Sequence, residues 1–304
     1  MADWALTTPV AFIIFNRPDT TEKVFAEIAR ARPPKLLVIA DGPRAARAGE
    51  ADRCAATRAI IDRVDWDCEV ITNYSDANLG CKNRVASGID WVFEQVPEAI
   101  ILEDDCLPHP MFFRFCEELL VRYRDDDRIS QICGANFQFG RKRTDDSYYF
   151  SRYNHIWGWA SWRRAWQHYD RKASHWPAFR DAGKLDGLLT IPAERRFWSR
   201  MFDTVYQNKL DTWDFQWVLA SWTRGMLSVI PATNLISNIG FGDDATHTRR
   251  GSPYAALPIG EMKFPLSHPS QVAASRTADD FTARNMFAAS AAKKVFRVVQ
   301  SFFR

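Results

Sequence analysis

The feature that most constrains this chain is an alternation of two hydrophobic periods along residues 10–133. Residues 10–15, 36–40, 68–72, 99–102 and 129–133 are short, mostly apolar runs of strand length. Between them, residues 20–31, 50–63, 82–93 and 111–123 carry apolar side chains at helical spacing, as with Val24, Phe25 and Ile28. Strands that are apolar on both faces need cover on both faces, and the intervening helices supply it. The pattern predicts an α/β fold around a mainly parallel sheet flanked by helices. In such sheets ligands bind beyond the carboxyl ends of the strands. Asn16-Arg17, Asp41-Gly42 and Glu103-Asp104-Asp105 all fall at predicted strand ends, so they are expected along one edge.

The third cluster closes the apolar run Ile100-Ile101-Leu102 with three adjacent carboxylates, which repel one another. A divalent cation relieves that repulsion. Mg²⁺ and Mn²⁺ favour carboxylate oxygens and bind through one or two of them plus substrate phosphates. The plainer alternative is a solvated acidic loop. The first strand is followed by neither G-x-G-x-x-G nor G-x-x-x-x-G-K-[ST], so phosphates would be held by metal and side chains rather than by a glycine cradle.

The net charge of +3 on 304 residues argues against nucleic acid as a partner. Six cysteines without a C-x-x-C pair read as buried thiols rather than a disulfide framework. Residues 1–9 show no basic stretch leading an apolar core, and no apolar run reaches the roughly 18 residues of a membrane span. A cytoplasmic setting is the default expectation. Nine of the twelve tryptophans lie between Trp157 and Trp222, which sets the second half apart. There, residues 148–150, 227–230 and 234–236 read as strands and residues 194–207 and 213–223 as helices. The glycine-rich stretch 238–248 reads as a loop.

Taken in order, Asn16-Arg17, Asp41-Gly42, Leu102-Glu103-Asp104-Asp105, Pro110-Met111-Phe112-Phe113, Trp157-Gly158-Trp159, Trp213-Asp214 and Phe241-Gly242 resemble the GT-A glycosyltransferases. The inverting N-acetylglucosaminyltransferase I type is the nearest in pattern. The resemblance covers roughly residues 10–250. It implies a GT-A type fold with a Rossmann-like sheet and a single domain over residues 1–265. The nucleotide-binding half would be about 1–140 and a Trp-rich acceptor-side half about 141–265, with a linker and C-terminal tail over 266–304.

The same resemblance implies residue roles. Asp105 would ligate Mn²⁺ or Mg²⁺ against the diphosphate of a UDP-sugar donor, and Glu103 and Asp104 would reach ribose and sugar hydroxyls. Asp41 would accept from the uracil N3–H, and Arg17 would contact the donor phosphates, a task that suits the guanidinium fork. Arg84 would face the nucleotide, or else is a solvated helix charge. Inverting transfer needs a base for the acceptor hydroxyl. Asp214 in Asp211-Thr212-Trp213-Asp214 is the choice, with Asp211 in reserve and helix capping as the bland reading. The family's tandem acid pair is broken here by Phe215. Trp159 would floor a sugar pocket, or pack in the core. The 238–248 loop would be a lid, with His247 reaching metal or phosphate. The acceptor would be a glycan or a lipid-linked saccharide. The basic, bulky segment 293–304 would suit peripheral contact with an anionic membrane surface, or dock on the domain. Two other readings stay open: a sugar nucleotidylyltransferase, which would want a glycine-rich phosphate loop after the first strand, and a non-catalytic carbohydrate- or Ca²⁺-binding protein.

Overall fold

The computed structural model describes residues 4–241, 254 and 256–288. Strand β1 (Val10–Ile14) is buried along its whole length. Helix α1 (Pro18–Ala31) starts two residues ahead of the expected stretch because a proline is well suited to the first turn, where no N–H partner is needed. It buries Thr21, Val24, Phe25 and Ile28, the face that the spacing marks. Then follow β2 (Lys35–Ala40), α2 (Glu50–Ala59), β3 (Glu69–Tyr74), α3 (Gly80–Gln95) and β4 (Glu98–Glu103). These four strands are parallel, in the order β3-β2-β1-β4. Ile14 lies opposite Ala40, and Ile13 opposite Glu103. That register brings the turns after β1, β2 and β4 to a common edge, as the strand ends predict.

The chain continues through β5 (Cys106–Pro108), α4 (Met111–Arg122), β6 (Ile129–Cys133), β7 (Tyr148–Ser151) and β8 (Trp159–Trp162). Helices α5 (Arg163–Trp166), α6 (Trp176–Asp181), α7 (Lys184–Leu188), α8 (Pro192–Tyr206) and α9 (Asp214–Thr223) come next. Strands β9 (Leu227–Pro231) and β10 (Ile236–Asn238), helix α10 (Arg276–Thr282) with the π-helical turn Ala283–Phe287 behind it, and a 3-10 turn (Ile61–Arg63) after α2 complete the described elements. The sheet extends as β4-β8-β6-β9-β7, with β6 and β9 parallel and the other three pairings antiparallel. It is therefore parallel on the side of the acidic turn and mixed beyond it. β5 and β10 form a separate antiparallel pair, which folds the chain after β9 back over residues 105–108.

The tryptophan-rich half is core. Trp159, Trp162, Trp176, Trp198 and Trp217 are among the largest fully buried side chains. Trp159 stacks on Trp213 with ring centroids 5.8 Å apart. The segment after residue 265, expected as linker and tail, is in its described part a docked element. The Ser275 N–H donates to Phe150 O at 2.7 Å. From α10, Asp279 accepts from the Ser151 hydroxyl at 2.6 Å and from Arg152 Nε at 3.0 Å. Phe287 packs 4.8 Å from Trp198. Buried partners for Asp279 lie more than a hundred residues upstream, which is why local composition alone reads this stretch as a linker. Residues 293–304 lie outside the described part. Among the described residues no helix is long and apolar enough to cross a membrane.

Candidate active site

The end of β4 delivers Glu103, and the turn that follows holds Asp104 and Asp105. The two aspartates are pinned differently. Asp104 Oδ2 accepts from the Phe15 N–H at 3.0 Å, tying the turn to the exit of β1. Burial is the largest influence on its carboxyl and raises it to about 7, against the pull of Arg17. Glu103 keeps part of its surface open. Burial and then the charges of Asp105, Asp104 and Asp214 still hold its carboxyl well above the usual range. Asp105 accepts from Arg17 Nη1 at 2.9 Å, and each side chain is about a fifth exposed, 23% for Arg17 and 19% for Asp105. Burial opposes the Arg17 charge, and Asp104 and Asp105 more than offset it.

The strap leaving β10 lies directly on this pair. The Ile239 N–H donates to Asp105 O at 2.8 Å, and Asn238 Nδ2 reaches Asp105 Oδ1 at 3.4 Å. A Cβ at Gly240 would stand 2.2 Å from Asp105 Oδ2 and 2.9 Å from Arg17 Nη1. Only glycine permits so close an approach. Sequence patterns do not reveal Asn238 and Gly240 as contacts of Asp105; the glycine-rich character of residues 238–248 is the one signal there.

Among the described residues no group of three or more His, Cys, Asp or Glu side chains is placed to hold a metal by itself. The acidic turn fits a different kind of site. Among the described residues Asp105 Oδ1 makes only long contacts, 3.4 Å to Asn238 and 3.5 Å to the Cys106 thiol. Among the described residues, three carboxylates also bear on the Arg17 guanidinium. One carboxylate with an underused oxygen and surplus negative charge suits Mg²⁺ or Mn²⁺ completed by phosphate and water.

Two expected nucleotide contacts prove to be occupied by the chain itself. Asp41 Oδ1 accepts from the Gly42 and Leu79 N–H groups, both at 2.9 Å. Its Oδ2 accepts from Asn78 Nδ2 at 3.0 Å and the Gly80 N–H at 3.1 Å. Four donors fill the roughly four lone-pair positions of a carboxylate, leaving none for a uracil N3–H. Burial nonetheless pushes the Asp41 carboxyl up. Arg84 is buried, with Nε on Ala40 O at 3.1 Å and Nη2 on the carbonyl and side chain of Asn73. It braces the ends of β2 and β3 and is neither a solvated charge nor, through those nitrogens, a phosphate ligand.

Asp211 completes this arrangement. Its carboxylate accepts from the Cys81 N–H at 3.2 Å and the Lys82 N–H at 2.9 Å. The four N–H groups of residues 79–82, the start of α3, are thus shared between Asp41 and Asp211. Helix starts leave such groups orphaned, and here two distant carboxylates cap them. Asp211 is a cap supplied across the fold.

Asp214 is the first residue of α9 and has no exposed surface. Its Oδ1 accepts from the Thr212 hydroxyl, and its Oδ2 is buried without a partner among the described residues. Burial raises its carboxyl to about 8, against the Thr212 hydroxyl and the first-turn N–H groups. Glu103 lies within electrostatic reach of it, on the side of the fold where Asp211 also crosses to residues 81 and 82. Trp159 is 1% exposed and does not floor an open pocket, because its ring is enclosed by Trp213, Trp166 and Trp217. His247 lies outside the described residues. A cleft of about 880 Å³, lined by residues such as Asn136, Asn234 and Ile259, shares no residue with this cluster.

No family model matches this sequence, and no curated protein sequence does. Among solved structures, the chain is similar to S. aureus TarS 1-349 at 6% identity and a TM-score of 0.44, covering 76% of this chain and 59% of that one. It is similar to UDP-glucose pyrophosphorylase complexed with UDP-glucose at 10% identity and a TM-score of 0.28, covering 48% of this chain and 62% of that one. The chain thus spans less than two thirds of either.

Proposed function

We propose that this chain is a metal-dependent glycosyltransferase that moves a sugar from a nucleoside-diphosphate donor to a hydroxyl acceptor with inversion. The observation that carries the reading is one shared edge. Arg17, Asp104 and Asp105 gather beyond β1 and β4, and Glu103 on the same turn lies within electrostatic reach of Asp214. A charged end for a diphosphate and a buried carboxylate for a proton are what displacement at an anomeric carbon requires.

In this reading the donor's phosphates draw Arg17 off Asp105, since a guanidinium fork pairs as well with phosphate as with carboxylate. Asp105 is then free to hold the cation. Bound there with phosphate, Mg²⁺ or Mn²⁺ would neutralise charge on the departing diphosphate. The backbone at Gly240 lies against the pair until that exchange, with no room there for a side chain. Asp214 takes the acceptor's proton as the acceptor oxygen bonds to the anomeric carbon, and the bond to the diphosphate breaks with its electron pair leaving on phosphate oxygen. A carboxyl held at about 8 is a strong base once ionised. Asp41 takes no part in base recognition and shapes the loop instead, so the donor base is left to experiment, with UDP first to try.

The test is to incubate the protein with UDP-, GDP-, CDP- and dTDP-sugars and Mn²⁺ and read the products. Release of a nucleoside diphosphate is expected. Nucleoside triphosphate formed on adding pyrophosphate would point to nucleotidylyl transfer instead, and no turnover of any donor would overturn the reading.

A further inference from the structure

Three buried polar atoms without a partner among the described residues belong to side chains around Asp214: Asp214 Oδ2, the Tyr169 hydroxyl and Trp159 Nε1. They are linked by packing. Trp159 stacks on Trp213, the neighbour of Asp214, and Tyr169 stacks on Trp166 at 4.3 Å and 8°. Trp166 in turn packs against both Trp159 and Trp213. Tyr169 is close enough to feel the Asp214 charge. Buried polar groups nearly always find partners, so a cluster of orphans calls for an occupant.

The chemistry of the three specifies it. In the ionised form that Asp214 takes above about pH 8, its carboxylate only accepts, whereas an indole N–H only donates and a phenol does either. A water meets all three at once, donating to Asp214 and accepting from Trp159 and Tyr169. An alcohol hydroxyl can donate to Asp214 and accept from Tyr169, which leaves one lone pair free. Tyr169 also borders a surface cavity of about 310 Å³ with His168, Asp170 and Arg224.

We propose that Asp214 Oδ2, the Tyr169 hydroxyl and the Trp159 indole N–H enclose one polar pocket that takes a single hydroxyl group. A water fills it in the free protein, and the attacking hydroxyl of the acceptor replaces that water. Tyr169 is then an acceptor-binding residue, and Trp159 contributes its N–H edge rather than its ring face. The acceptor role rests on the transfer reading above; the pocket does not.

The pocket is tested without any activity. Tyr169→Phe, Asp214→Asn and the double variant are unfolded in urea. Sharing one occupant predicts a departure from additivity of at least about threefold in the folding constant. Additive effects overturn the pocket. The acceptor role is tested by nucleoside-diphosphate release from UDP-sugar with Mn²⁺. Tyr169→Phe should slow release at least about tenfold, shift the pH at which the rate rises, and leave UDP affinity unchanged. Equal rates and pH profiles overturn that role. A wild-type protein that releases no nucleoside diphosphate defeats the transfer reading, and the unfolding cycle still decides the pocket.

Discussion

At the acidic turn the chain supplies partners of its own: Asp104 meets the Phe15 N–H, and Asp105 meets Arg17. Around Asp214 it supplies too little, since Oδ2, the Tyr169 hydroxyl and the Trp159 N–H have no partner among the described residues. On the transfer reading, the difference says what each end would do when a ligand arrives. On the transfer reading the paired end exchanges partners, as phosphate oxygens compete with Asp105 for Arg17 Nη1. The unpaired end has only to be filled. Charged groups with a small net worth per pair are easily exchanged, whereas an unpaired buried polar group carries its full desolvation penalty.

Substitutions should separate the two ends. The largest effect is expected for Asp214→Asn. It should reduce transfer by about 10²- to 10⁴-fold, the range of acid–base catalysis, while nucleotide affinity stays at the wild-type level. Rate and calorimetry on one preparation check both parts. Asp105→Ala should do the reverse, weakening Mn²⁺-dependent nucleotide binding by at least about 10- to 100-fold. Gly240→Ala would push a methyl group into Asp105 and Arg17, and overpacking of this kind costs about 1–3 kcal/mol. Urea unfolding and nucleotide affinity should both register it, and a variant indistinguishable from wild type would show that the strap stands off the pair in solution.

A smaller effect is expected for Asp211→Ala, which removes the cap on the Cys81 and Lys82 N–H groups and should cost about 1 kcal/mol. If Asp211 were the base instead, its loss would abolish transfer with little change in stability. A pH series sharpens the same contrast. The Asp214 carboxyl is raised by burial to about 8 from an ordinary value near 3.8, so its protonated form favours the fold. That contribution is complete below the unfolded value and is lost as pH rises to the folded one. Wild type should therefore lose stability relative to Asp214→Asn as pH goes from about 4 to about 8, while transfer rises over the upper part of that range. A stability difference that does not change with pH would place Asp214 in a solvated environment.

Much of the fold was legible in the sequence because it is written in local patterns. Val10–Ile14 is buried throughout, and Glu103 ends a buried strand, as their runs imply. The convergence of Arg17 and Asp105 follows from parallel register alone. What local patterns do not carry is the identity of a side chain's partner. Asp41 looks available at a strand end until Asn78, Leu79 and Gly80 return from the next crossover to fill it. Arg84 looks like a surface charge on a helix until its carbonyl partners on β2 and β3 are known. Trp159 in an aromatic run reads equally as pocket or core, since composition does not tell which edge of an indole meets which neighbour. The docking of α10 was hidden for the same reason.

The most direct test of the donor site is calorimetric titration of wild type and Asp105→Ala with UDP, GDP, CDP and dTDP, each with and without Mn²⁺. Binding of one nucleotide that needs Mn²⁺ and disappears in the variant is the predicted result. Binding of none by the wild type, or equal binding by both proteins, would contradict a donor site at the end of β4.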